Sequence, residues 1–134
     1  MHHEPVIDHV SINCTELAAS AEFYDEVLGV LGHRRVMDHG AAIGYGTDAP
    51  AFWIAAQPTE GSASGPNREI HMAFTAPDAA TVRAFFEAAT RLGAEVLHQP
   101  RLWPEYHDHY YGAFVRDPDG NNVEAVCHTA GPGD

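Results

Sequence analysis

Positive charge is scarce in this chain. Seven arginines and no lysine stand against 19 acidic residues in 134, a formal charge of −12. Nucleic acids and anionic membranes both need basic patches, so neither is expected as a partner. Cysteine is nearly absent as well. Cys14 and Cys127 alone make no disulfide framework, which fits a reducing compartment and points to the cytoplasm. No window comes near the roughly 20 apolar residues of a membrane span. Met1-His2-His3-Glu4-Pro5 has neither the basic stretch nor the apolar run of a signal peptide. Length and an apolar content of 45% suit one domain with a real core, over residues 1–134.

What is present is a pattern that occurs twice. Val6 to Asn13 alternates apolar and polar residues and reads as a strand. Thr15 to Leu28 reads as a helix with Leu17, Ala21, Tyr24 and Leu28 on one side and Gly29 as its stop. Three short strands follow over 33–39, 41–46 and 51–57, and a Gly/Ser/Pro-rich linker over 58–68. The order then restarts. Glu69 to Ala76 is a strand, Pro77-Asp78 open a helix that Gly93 ends, and 94–99, 110–116 and 122–128 are strands. Thr129 onward reads as a loose tail. Setting His9 on His71 places Phe23 on Phe85 and Tyr24 on Phe86, so the chain is βαβββ written twice at an offset of about sixty residues. The units are 6–57 and 69–128. Each lays one helix on one sheet face. The expected class is α+β, two βαβββ modules forming a cup-shaped, partly closed mixed sheet with its helices outside.

Asp117-Pro118-Asp119-Gly120 is a tight-turn sequence that leads into an apolar strand with one acid, Glu124, in its middle. A carboxylate there either reaches solvent or meets a cation, because burying it unpaired is costly. Strand parity offers a partner. Val10 and Ile12, and in the later strand Ile70, Met72 and Phe74, form the helix side, which leaves His9 and His71 on the cup side. Giving Val123, Ala125 and Cys127 to the helix side puts Glu124 in the cup too. Two imidazoles and a carboxylate then converge, a donor set for a divalent first-row ion with open coordination positions. A lone strand histidine is more often a surface residue; here two histidines match across a repeat.

Ile7-Asp8-His9-Val10, Phe23-Tyr24 with Leu28-Gly29, Ile70 to Phe74, and Asp117-Pro118-Asp119-Gly120 through Glu124 together resemble the vicinal oxygen chelate superfamily. This group holds glyoxalase I, extradiol dioxygenases, fosfomycin-resistance thiol transferases, methylmalonyl-CoA epimerase and bleomycin-binding proteins. The resemblance covers about residues 6–128 and implies metal ligands at His9, His71 and Glu124. It also implies pairing of βαβββ units within a chain or between two chains, hence a homodimer. Where glyoxalase I carries a further ligand, this chain has Trp53 or Ile54, which argues against strict glyoxalase I chemistry. His107, Asp117, Pro118, Gly120 and Glu124 match the extradiol signature, but Phe114 stands where that pattern has a Tyr to bond a catecholate.

Residues 98–111 are rich in aromatics and histidine and form a long connection, either a rim over the pocket or a hairpin packed on its neighbours. Candidates for catalytic roles are Glu124, His107 and Tyr110; for the pocket wall, Trp53, Phe114, Trp103, Tyr106 and Arg116. Cys14 and Cys127 read as small buried residues, and His2, His3, His33, His39 and His128 as solvated. The expected function is a small enzyme that binds one divalent ion (Zn, Ni, Mn, Co or Fe). Its substrate, a small molecule, would chelate the ion through neighbouring oxygens in a lyase, isomerase or oxygenase step. The competing expectation is a module that sequesters an aromatic or antibiotic ligand without chemistry.

Overall fold

The computed structural model describes residues 7–56 and 70–134, so the 58–68 linker and His2 and His3 lie outside the described residues. The first unit is β1 (Val10–Cys14), α1 (Leu17–Val30), β2 (Arg34–Asp38), β3 (Ala42–Gly46) and β4 (Pro50–Ala56). The second is β5 (His71–Thr75), α2 (Ala79–Arg91), β6 (Val96–Leu102), β7 (Tyr111–Arg116) and β8 (Asn122–Cys127). Each makes a four-stranded mixed sheet, in the orders β1-β4-β3-β2 and β5-β8-β7-β6, with β1–β4 and β5–β8 parallel. The class is α+β. The sheets do not close into a barrel.

Alternation explains which faces are buried. Ile12, Cys14, Phe52 and Ile54 join Phe23, Tyr24, Val27 and Leu28 of α1 in the core. Val123, Ala125, Cys127, Tyr111, Ala113 and Val115 do the same beneath Val82, Phe85 and Ala89 of α2. One apolar cluster spans both units, and α1 packs on α2. Both helices end at a glycine with positive φ, Gly32 at 90° and Gly93 at 80°, the left-handed geometry that closes a helix without a Cβ clash.

Several boundaries differ from the sequence reading. α1 runs through Gly29 to Val30, so its stop is Gly32 and not Gly29, because the left-handed turn falls three residues later. β1 starts at Val10, so His9 lies just before the strand. β6 runs on to Leu102 through Pro100, which is tolerated because β6 is an edge strand and its register shifts between His98 and Arg101. The tail beyond residue 128 is docked rather than loose: Ala130 is 3% exposed, its carbonyl accepts from His109 Nδ1 at 2.8 Å, and Thr129 Oγ1 donates to Pro77 O at 3.4 Å.

The turn Asp117-Pro118-Asp119-Gly120 holds the units together. Asp119 Oδ1 accepts from Thr15 N (3.1 Å) and Thr15 Oγ1 (2.6 Å), and its other oxygen from Ser20 Oγ (3.4 Å). Asp117 Oδ2 accepts from Tyr24 Oη at 2.6 Å and Asn121 Nδ2 at 3.0 Å, and its Oδ1 from Asn121 N at 2.8 Å. Burial, then the charge of Asp117, pushes the Tyr24 phenol well above its ordinary pKa. Phe52 meets Phe74 edge-on at 5.3 Å across the same junction. Among the described residues no helix is long and apolar enough to cross a membrane.

Candidate functional site

β8 carries Glu124 on the face opposite α2, where parity placed it, and the carboxylate is 1% exposed. Both its oxygens are used. Oε1 lies 2.8 Å from His71 Nε2 on β5, whose side chain is half exposed. Oε2 accepts from the Tyr110 hydroxyl just before β7. Burial first, then the bond to and charge of Glu124, raises the Tyr110 phenol above its usual range. β7 passes beside the pair as Gly112. A Cβ there would come 3.1 Å from Glu124 Oε2 and 3.3 Å from Tyr110 Cε1, tighter than ordinary contact, so glycine makes the space.

A ring cluster walls the pair. Phe114 sits 5.9 Å from His71, 5.5 Å from His98 and 5.2 Å from Trp103, between ring centres. Trp103 Nε1 donates to Gly112 O at 3.0 Å, and the Arg101 guanidinium lies 3.4 Å from the centre of the Trp103 ring. Tyr106 stacks on Trp103 and touches Tyr110 at 4.9 Å. His107 and His128 are bonded through Nε2 and Nδ1 at 2.9 Å, and both rings pack on Tyr110.

The predicted residues therefore divide. His71, Glu124, Tyr110, Phe114, Trp103, Tyr106 and His107 form one continuous neighbourhood in the second unit. His9 stands apart, half exposed, with Nδ1 at 2.8 Å from Asp8. Trp53 is in the first sheet, where it stacks on His39 at 5.8 Å. Arg116 donates to Gly120 O at 2.6 Å, pairs with Glu95, and lines a cleft with Phe23 and Leu92. His98 and His128 joined the cluster unannounced. His128 shares the strand parity of Glu124, and that signal could have found it; His98 is placed by pairing with Phe114 across β6–β7, which no local pattern shows. His33, read as solvated, is half buried, and its Nδ1 has no partner.

The second unit thus offers an imidazole nitrogen and a carboxylate oxygen 2.8 Å apart, donors that suit a divalent ion. Among the described residues no group of three or more His, Cys, Asp and Glu side chains is assembled for one. The donor types fit; the pair is short of a full set.

Residues 6–125 match the model of the Glyoxalase/Bleomycin resistance protein/Dioxygenase superfamily. The chain belongs to that superfamily. No curated protein matches it closely. Among solved structures, a glyoxalase/bleomycin resistance protein from Albidiferax ferrireducens T118 is 27% identical with a TM-score of 0.78, covering 92% of this chain and 99% of its own. A lactoylglutathione lyase from Agrobacterium tumefaciens is 22% identical with a TM-score of 0.66, covering 92% and 94%. A glyoxalase-related enzyme from Fulvimarina pelagi is 21% identical, also at 0.66, covering 90% and 86%. The superfamily supplies the general class of this chain.

Proposed function

We propose that the protein is a small cytoplasmic enzyme of glyoxalase or dioxygenase type, in which His71 and Glu124, with His9 as third ligand, hold one divalent ion. Zn, Ni, Mn, Co and Fe all suit this donor set. The observation that carries the reading is a carboxylate 1% exposed inside an apolar strand, facing an imidazole nitrogen at 2.8 Å. Such a group is expensive to bury and is seldom kept without a use. When bound, the ion would act as a Lewis acid on a substrate carrying two neighbouring oxygens.

The chain's residues supply the rest. Phe114, Trp103 and His98 wall the site on one side, and His107 with Tyr110 stands at its edge as the proton-handling candidates. Phe114 has no hydroxyl for a catecholate, which favours proton transfer of lyase or isomerase type over ring cleavage. A homodimer in which one protomer's His9 reaches its partner's pair would complete the ligand set. Both thiols are free and buried, which suits a reducing compartment.

Metal titration by calorimetry on the purified protein tests the reading. About one divalent ion per chain is expected, with loss of binding in Glu124→Ala and His71→Ala and weakening in His9→Ala. A wild-type protein that takes up less than about a tenth of an equivalent sinks it. A second reading, sequestration of a flat aromatic ligand, is favoured by the stacked Trp103–Tyr106 pair, with Tyr106 59% exposed. Ligand binding that survives Glu124→Ala but not Trp103→Ala would select it.

A further inference from the structure

Glu124 is held from two sides, and only one of those holds involves a candidate metal ligand. We propose that Tyr110 is the positioning residue of the centre: its phenol occupies Oε2 of Glu124 and so presents Oε1 alone to the ion beside His71. Gly112 is the gap that lets the phenol reach. This rests on the metal reading above.

The phenol is aimed, not merely near. Its ring is packed by Tyr106 at 4.9 Å, His128 at 5.3 Å and His107 at 5.5 Å, three directions that leave it little rotamer freedom. The two histidines are themselves fixed in tautomer. His109 N donates to His107 Nδ1 at 3.0 Å, so the proton of neutral His107 sits on Nε2 and is donated to His128 Nδ1. That bond ties the 103–110 connection to the end of β8, four residues beyond Glu124. Trp103 Nε1 donating to Gly112 O holds the strand on the other side.

A carboxylate free to rotate can offer an ion two oxygens or one. With Oε2 bonded to a packed phenol it offers one, in a fixed direction, and the buried charge keeps a partner whether or not an ion is bound. A Cβ at 112 would press on both Oε2 and the Tyr110 ring. Tyr110 and Gly112 are thus a matched pair: one supplies the donor, the other the space.

The test is titration of the metal-free chain with Co2+, followed by dissociation constant and by visible absorption, which reports the coordination of the ion. Tyr110→Phe is expected to weaken Co2+ binding about 10- to 100-fold and to change the band pattern. Gly112→Ala, which keeps the phenol but displaces it, is expected to act in the same direction. Tyr111→Phe, whose hydroxyl accepts from Arg83 on the helix side, is expected to match wild type. A purely structural role for Tyr110 would lower the melting temperature and leave the spectrum of the bound ion unchanged. Tyr110→Phe with wild-type affinity and spectrum overturns the proposal while leaving the metal reading standing. Should Tyr110→Phe fail to fold, an unchanged spectrum and affinity in Gly112→Ala overturns it. Wild-type protein that binds no Co2+ overturns both.

Discussion

α2 is capped from within its own unit: Asp78 accepts from Thr81 N at 2.8 Å and from its hydroxyl at 2.6 Å. α1 has no such cap, and the residue before its N-cap is held by Asp119 of the other unit. The open faces differ as much. In the first unit, His9, Ser11 and Asn13 are exposed around a Trp53–His39 stack; in the second, a buried acid has all its partners and an aromatic wall. One backbone plan serves two tasks. The second unit caps its own helix and holds the buried acid, whereas the first takes part of its order from the second.

The sharpest way to break this comparison is Asp117→Ala. It removes the acceptor for Tyr24, Asn121 and Asp119 at a site 5% exposed, and a loss of about 3 kcal/mol in urea unfolding is expected. A loss under about 1 kcal/mol would mean that apolar packing alone joins the units. Alkaline pH comes next. The folded pKa values of Tyr24 and Tyr45 are raised, chiefly by burial, so the unfolded chain releases these protons first. Their contribution is intact below pH 10 and falls above it, by about 1.4 kcal/mol per pH unit for each phenol. Tyr24→Phe should remove one phenol's share from that slope, and an unaltered slope would count against the assignment.

Asp119→Ala is expected to cost about 1 kcal/mol across units, and Asp78→Ala to lower the melting temperature by loosening a cap within one. Combined with Thr15→Ala, only Asp119→Ala should be non-additive; a simple sum would show that its bonds to Thr15 carry no coupling. The smallest effect belongs to the rim. Arg101→Ala loses the stack on Trp103 and its exposed pair with Glu105, for about 0.5 kcal/mol in thermal melting.

Much of this was legible because it is periodic. Alternation in β1, β5 and β8 sorted core from open face, and with it the placement of Glu124 and His71 opposite the helices. Gly93 and Asp78 marked α2 because helix ends carry local chemistry. The junction was not legible. Asp117 and Asp119 read as turn formers, and so they are, but their other partners lie in α1 and just ahead of it, far away in sequence, where no periodicity reaches. The His107–His128 pair escaped for the same reason. β6 was cut short at Pro100 since a proline argues against a strand unless the strand is known to be an edge.

Thr15 and Asp119 are 104 positions apart. During synthesis at the ribosome the first helix is made well before the acids that hold Thr15, Ser20 and Tyr24. Until then that stretch has only its own weak propensity and α1's apolar face to order it, so the first unit must wait for the second. A chain ending at residue 110 should accordingly be cut by protease within 15–24 while the full-length protein resists, and equal resistance of the two would remove the dependence.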